Sequence, residues 1–158
     1  AEPGSRAPRA ERIDMAQVAR LVLEAQAETA LKRGIDLGLE GEGEAPVIGD
    51  GTMLREMVVN LVDNALRYTP SGGEVTVRVV RANSAVVLTV DDSGPGIAED
   101  ERDHVFERFY RIMGTQAEGS GLGLAIVREV VEGAGGMVSL GTSPAGGLSV
   151  RVHLPAAT

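Results

Sequence analysis

Three glycines stand at alternate positions in the stretch Gly119-Ser120-Gly121-Leu122-Gly123-Leu124-Ala125-Ile126-Val127, and they lead directly into an apolar segment typical of a helix. Glycine permits tightly turned backbone and close approach of another molecule, while a helix start offers unpaired N–H groups and a positive dipole end. The pattern is therefore typical of a phosphate-binding loop. A flexible loop followed by a packing helix could have the same sequence pattern, so the interpretation depends on the rest of the chain.

Length and composition predict one domain with its own core, because the chain has 158 residues of which 43% are hydrophobic. The sequence contains no cysteine, which excludes disulfides and thiolate metal sites. The formal net charge of −8 disfavours a nucleic-acid partner, since such binding relies on Lys and Arg. No apolar run approaches the roughly 18 to 20 residues of a membrane-spanning helix. We expect a soluble domain, which a longer membrane-anchored protein could carry.

The chain divides into three parts by composition and periodicity. Residues 1–11 are rich in Pro, Arg, Ala and Glu without a hydrophobic period, which favours a linker. Residues 12–155 carry regular patterns and form the predicted domain, and 156–158 are a short tail. Asp14 is placed to cap a first helix that ends at Gly34. The further predicted elements are a strand at 35–39, a helix at 52–68, a hairpin at 75–90, helices at 99–110 and 122–134, and strands at 137–140 and 148–154.

The helix predicted at 52–68 has an informative polar side. Its apolar residues fall on one side at 100° per residue, whereas Asn60, Asp63, Asn64 and Arg67 fall on the other. Asparagine is a mediocre helix former, so two asparagines one turn apart suggest ligands for Mg²⁺ shared with phosphate oxygens. Arg67 could contact phosphate and Tyr68 could stack on a base. The alternative for the polar side of the helix is an ordinary solvent-exposed face. The alternative for Tyr68 is a role in packing alone.

The second strand of the predicted hairpin ends in Asp91-Asp92-Ser93-Gly94-Pro95-Gly96-Ile97. An EF-hand starting at Asp92 would need glycine at its sixth position and glutamate at its twelfth, and the sequence has Ile97 and Asp103 there, so that site is excluded. A carboxylate at a strand end beside two glycines instead suggests a corner that recognises a base. Its oxygen could accept a hydrogen bond from an exocyclic amine.

The commonest nucleotide-binding motifs are absent. The single lysine, Lys32, does not follow a glycine, so no P-loop is present, and the glycine spacing does not fit G-x-G-x-x-G. Residues 111–118 have no hydrophobic period, which favours a mobile lid over the alternative of a plain surface loop. His104 and His153 are isolated, and we assign them no metal or acid–base role.

Four motifs in order resemble the catalytic ATP-binding domain of bacterial sensor histidine kinases. They correspond to its N box, G1 box, F box and G2 box, and the resemblance covers about residues 12–155. The motifs are Asn60-Leu61-Val62-Asp63-Asn64-Ala65, Asp92-x-Gly94-x-Gly96, Phe106-Glu107-Arg108-Phe109-Tyr110-Arg111 and Gly119-x-Gly121-Leu122-Gly123-Leu124.

The resemblance implies an α/β sandwich of the gyrase, Hsp90, histidine kinase and MutL superfamily. In that fold a mixed, mostly antiparallel sheet of about five strands is covered on one face by three helices, and an ATP lid closes the site. One departure is Ala134-Gly135-Gly136, where the family commonly has His-Gly-Gly, and another is the short lid.

The resemblance also implies the role of each matching residue. Asp92 would accept from the adenine amino group and Tyr68 would lie along the base. The amides of Asn60 and Asn64 would hold Mg²⁺. The catalytic set would be Asn60, Arg67 and Arg111, with both arginines on phosphates. The remaining nucleotide contacts would be Gly94, Gly96, Ile97, Gly119, Ser120, Gly121, Leu122, Gly123 and Leu124.

The implied activity is phosphoryl transfer from Mg·ATP to a histidine on a separate dimerisation domain, with a response regulator downstream. The chain would be a monomeric cytoplasmic part of a membrane-anchored bacterial sensor. Two alternatives stay open. An ATP-hydrolysing clamp of the same superfamily would use a glutamate at the position of Asn60, and an amide cannot act as that base. A nucleotide-binding module without chemistry is the other.

Overall fold

A computed structural model describes residues 9–102, 104, 106 and 124–158 of the chain. This part of the sequence forms seven strands and four helices. They are β1 Glu11–Asp14, α1 Met15–Arg33, β2 Asp36–Glu40, β3 Pro46–Gly49, α2 Gly51–Tyr68, β4 Glu74–Ala82, β5 Ala85–Asp92, α3 Glu99–Arg102, α4 Leu124–Gly133, β6 Met137–Thr142 and β7 Leu148–Pro155.

The main sheet has five strands in the order β2-β4-β5-β7-β6. Only β2 and β4 pair in parallel, while the other neighbouring strands are antiparallel. Helices α1, α2 and α4 pack on one face of this sheet. The predicted fold class is therefore confirmed, and the alternating pattern of β4 explains it, because Val75, Val77 and Val79 are buried beneath the helices.

Helix α2 lies at the centre of the core and delivers site residues from its other side. Leu54, Met57, Val58 and Leu61 are buried almost completely against the sheet. Asn60 and the polar residues that follow it remain partly exposed. The amphipathic period that predicted this helix thus also orients the site, since burying the apolar side fixes which way the asparagines face.

The ends of α1 are capped as predicted. Asp14 Oδ1 accepts from the N–H of Ala16 at 3.0 Å, and Gly34 adopts a left-handed conformation with φ of 69°. The same Oδ1 accepts from the N–H of Ala45 at 2.9 Å, so this cap also joins α1 to the segment before β3.

A second, two-stranded sheet joins β1 to β3 and was not predicted from the sequence. Ile13 pairs with Val47 in this antiparallel sheet, and Val47 also bridges Ala156. Strand pairing therefore begins at Glu11, inside the expected linker, and continues to Ala156, inside the expected tail. Each of these strands has four residues, which is too short for a period-2 pattern to be recognised.

The segment between β5 and α4 is described only in part. Helix α3 covers the start of the predicted helix at 99–110, and Phe106 is partly buried against the core as expected. Phe109, the expected lid at 111–118 and residues 119–123 lie outside the described residues. The described helices include none that is long and apolar enough to cross a membrane.

Candidate functional site

A cavity lies between α2, the loop after β5, the start of α4 and the start of β7. The space within it, counted together with the open solvent at its mouth, is about 540 Å³. Predicted site residues from three separate stretches of the chain line it, namely Asn64, Tyr68, Asp92, Gly96, Ile97 and Leu124. The fold thus brings these residues together.

The walls of the cavity are mainly apolar. Leu61 and Ala65 of α2 face Val90, Leu148 and Val150 of the sheet across it. These apolar side chains belong to the hydrophobic core or pack against it, so the cavity lies at the edge of the core. An apolar space with a few polar groups suits an aromatic ring such as a nucleotide base.

Asp92 is the buried polar group of this cavity. It ends β5 and is only 5% exposed. Its Oδ1 accepts from the N–H of Gly94 at 2.9 Å and from the N–H of Leu148 at 3.0 Å. Its Oδ2 receives no hydrogen bond from any residue that the structure describes. One carboxylate oxygen is thus held by the main chain, and the other is available to a ligand.

Burial raises the pKa of Asp92 above its ordinary value, because an apolar environment disfavours the charged form. The N–H groups of Leu148 and Gly94 oppose that shift, and the charge of neighbouring Asp91 adds to it. The direction of the shift shows that desolvation outweighs the two hydrogen bonds. A ligand that donates a hydrogen bond to the ionised carboxylate would compensate for this cost.

The two glycines after Asp92 have separate steric roles. A Cβ atom at Gly94 would lie 2.7 Å from the main-chain oxygen of Tyr68, so glycine is needed where this loop passes the end of α2. Gly96 adopts φ of 75°, a left-handed conformation that other residues rarely take. The glycines thus shape the loop that places Ile97 in the cavity wall.

Asn60 and Asn64 lie one turn apart on the same side of α2, and both are half-buried. Asn64 lines the cavity, whereas Asn60 is not among the lining residues. The described residues hold no cluster of three or more His, Asp or Glu side chains suited to a metal. Two amide oxygens fit Mg²⁺ only as a partial set completed by phosphate oxygens and water, which is the arrangement the sequence predicts.

Arg67 and Tyr68 end α2 beside the cavity. Arg67 Nε forms an ion pair with Asp63 Oδ2 at 3.0 Å, one turn back on the helix. Tyr68 lines the cavity as expected for a residue next to a base. Arg111, Gly119, Ser120, Gly121, Leu122 and Gly123 lie outside the described residues, so their roles stay predictions.

Two polar side chains that support the site were missed by sequence reasoning. Arg102 Nε donates to the main-chain oxygen of Ile97 at 3.0 Å, and its Nη2 donates to Thr142 Oγ1 at 3.3 Å. Ser143 Oγ donates to the main-chain oxygen of Asp92. The Arg102–Thr142 and Ser143–Asp92 contacts join residues 40 and 51 positions apart, and the sequence around Ser143 predicts only a Pro/Gly turn.

Residues 49–158 match the family described as histidine kinase-, DNA gyrase B- and HSP90-like ATPase. The chain belongs to this family. Its similar proteins include the sensor protein kinase PmrB of Pseudomonas aeruginosa, 46% identical over 145 residues, which are 90% of this chain and 30% of PmrB. They also include the histidine-protein kinase BaeS of Escherichia coli, 40% identical over 131 residues, which are 81% of this chain and 28% of BaeS. The chain therefore spans less than a third of these relatives.

Solved structures of histidine kinase catalytic domains share the fold of this family member. The mycobacterial sensor histidine kinase MprB superposes with a TM-score of 0.80 and 35% identity, over 93% of this chain and 97% of that one. The catalytic domain of the histidine kinase ThkA gives a TM-score of 0.84 and 28% identity, over 93% and 95%. The resemblance inferred from the four motifs is confirmed.

Proposed function

We propose that this chain binds Mg·ATP in the cavity beside Asp92 and donates the γ-phosphoryl group to a histidine on a separate dimerisation domain. It would act as the catalytic part of a two-component sensor kinase, with a response regulator downstream. Since the relatives are longer sensor proteins, we also propose a cytoplasmic position within a membrane-anchored parent.

The environment of Asp92 carries this proposal. A carboxylate with one oxygen held by two N–H groups and the other open to an apolar cavity suits a ring that bears an amino group. Adenine offers its 6-amino group as a donor there, whereas guanine would present a carbonyl oxygen to the same acceptor. Two opposed acceptors leave a buried group unpaired, which costs roughly 1 to 3 kcal/mol.

The other end of the nucleotide would extend toward Asn64, Asn60 and Arg67. The metal supplies charge neutralisation and orientation of the phosphates when it is bound. The asparagine amides would hold that ion, while Arg67 would leave its ion pair with Asp63 to contact a phosphate. Catalysis then rests on positioning and electrostatics, as expected for phosphoryl transfer.

The residue type at position 60 favours phosphoryl transfer over hydrolysis. Activation of water needs a base close to the γ-phosphate, and Asn60 offers only an amide. The site therefore supports an incoming nucleophile better than an activated water.

Relatives of known structure support a nucleotide ligand. A structure of full-length ShkA in complex with AMPPNP superposes with a TM-score of 0.81 and 30% identity over 94% of this chain and 31% of that one. A structure of the ATP-binding domain of PrrB from Mycobacterium tuberculosis gives 0.78 and 28%, over 94% and 98%. We transfer the ligand class from these proteins to the cavity described above.

Calorimetric titration with Mg·ATP and Mg·GTP tests the proposal. We expect ATP to bind roughly tenfold to a hundredfold more tightly than GTP, and Asp92→Asn to lose most of that preference. Asp91→Asn is the matched control, because the side chain of the preceding strand residue lies on the opposite face of the sheet. Equal affinity for the two nucleotides, or an unchanged preference in Asp92→Asn, would refute the assignment.

A further inference from the structure

The turn between β6 and β7, residues 143–147, lies directly against Asp92. Its residues are distant from Asp92 in sequence, yet two hydrogen bonds reach Asp92 from this turn and the residue after it. Ser143 Oγ donates to the main-chain oxygen of Asp92, and the N–H of Leu148 donates to Asp92 Oδ1 at 3.0 Å. Asp92 is thus held by the β6–β7 connection as well as by its own loop.

Ser143 is the central residue of this contact. It is only 4% exposed, and its hydroxyl accepts from the N–H of Gly147 at 3.1 Å while it donates to Asp92. The N–H of Ser143 also donates to the main-chain oxygen of Gly147 at 2.8 Å. One hydroxyl therefore closes the turn and joins it to the end of β5, in a place where no solvent replaces a lost bond.

Gly147 provides the space for this arrangement. A Cβ atom there would collide with both Oδ1 and the main-chain oxygen of Asp92, and would lie 2.7 Å from the N–H nitrogen of Gly94. Its φ is not in the left-handed region, so contact and not backbone strain excludes a side chain. The close approach of the turn to the carboxylate thus depends on this glycine.

We propose that Ser143 is a positioning residue for nucleotide recognition, which fixes the Asp92 carboxylate in the orientation that accepts the exocyclic amine of the base. The assignment rests on the proposed function and adds a residue to it. Ser143 does not line the cavity. Its hydroxyl bonds the main-chain oxygen of Asp92 and closes the turn before Leu148, whose N–H holds the carboxylate, so Ser143 acts on the carboxylate indirectly. Its loss should therefore affect ligands that use the Asp92 carboxylate and spare those that do not.

A pair of nucleotides separates positioning from plain stability. Purine riboside triphosphate lacks the 6-amino group of ATP and is otherwise identical to it. Calorimetric titration of the wild type should show tighter binding of ATP. In Ser143→Ala we expect ATP affinity to fall roughly three- to tenfold and affinity for the analogue to change by less than about twofold. Ser139→Ala, an exposed serine on β6, should change neither.

A second variant, at Gly147, tests the close approach of the turn to the Asp92 carboxylate. Gly147→Ala should weaken ATP by roughly tenfold or more and the analogue much less, because the added methyl displaces the carboxylate. Gly141→Ala is the control, since a Cβ atom at Gly141 meets no atom within 4 Å.

The outcomes distinguish the two levels of the proposal. Binding of neither nucleotide by the wild type would refute the proposed function and this role with it. If the wild type prefers ATP but Ser143→Ala loses both nucleotides equally, including by failing to fold, the positioning role is wrong and the proposed function stands. Selective loss of ATP supports both.

Discussion

The ionised Asp92 carboxylate is expected to lower the stability of the folded protein without nucleotide, although it is suited to binding a ligand. Its raised pKa means that the folded protein holds the proton more tightly than the unfolded chain does. The associated stability is present below the unfolded pKa and is lost as the pH rises through the folded pKa. Asp92→Asn stays neutral throughout and keeps an oxygen that can accept from Gly94 and Leu148.

We therefore expect Asp92→Asn to gain stability relative to the wild type as the pH rises from about 4 to about 7. Thermal melts of both proteins without nucleotide at the two pH values measure this difference, and effects common to both proteins cancel. A variant that becomes progressively less stable than the wild type at higher pH would contradict the assigned direction of the pKa shift.

Asn64→Ala is expected to abolish the Mg²⁺ dependence of ATP binding, and Asn60→Ala to reduce it, because each removes an amide oxygen from a partial ligand set. The melting temperature of the apo protein should change by less than about 3 °C, since both side chains are half-buried and alanine favours helix. Titrations with and without Mg²⁺ measure the effect.

Glu56→Ala on the same helix is the control for this pair, as its side chain is exposed one turn before Asn60. It should leave both metal dependence and melting temperature unchanged. If the asparagine variants instead melt many degrees lower, the polar side of α2 is structural and the metal role is wrong.

At the scale of the elements, periodicity predicted α2 and the β4–β5 hairpin well because each buries one side in the core. Strands β1 and β3 were missed because the paired residues are 32 to 38 positions apart in the sequence and each strand is short. In this region the sequence predicted the capping of α1 by Asp14. It could not predict the second hydrogen bond of Asp14, because Ala45 is 31 residues away.

We expect Asp14→Ala to lower the free energy of unfolding by about 1 to 2 kcal/mol, since it removes a helix cap and the bond to Ala45 together. Denaturant titration measures this loss. Asp36→Ala, at an exposed strand start, should change the value by no more than about 0.5 kcal/mol. Equal effects of the two substitutions would show that Asp14 does not join α1 to β3.

In the candidate site, too, local sequence patterns could be predicted and contacts between distant residues could not. The motif residues Asn64, Tyr68 and Asp92 could be predicted because their types and spacing resemble a family pattern. The support of Asp92 by Ser143 and Leu148 could not, because those contacts span 51 and 56 residues. Burial of the carboxylate, which raises its pKa, follows from the assembled sheet and helices and not from any single stretch.

In the chain taken together, neither histidine is placed to receive phosphate from the proposed nucleotide site. His153 is on β7 between the inward-facing Val152 and Leu154, so its side chain lies on the sheet face away from the cavity. His104 is exposed beyond α3. The acceptor is therefore expected on another domain, and mixing separate chains loses the effective concentration that a linker provides.

Transfer of phosphate to a histidine outside this chain can be measured with γ-labelled ATP. The chain alone should bind Mg·ATP, release phosphate slowly and remain unlabelled, while addition of the dimerisation domain of the same parent protein should give weak, acid-labile labelling of that domain. Asp92→Asn should reduce this labelling. Acid-labile label on His104 or His153 of the chain alone, or rapid phosphate release without an acceptor, would refute phosphoryl transfer to an external histidine.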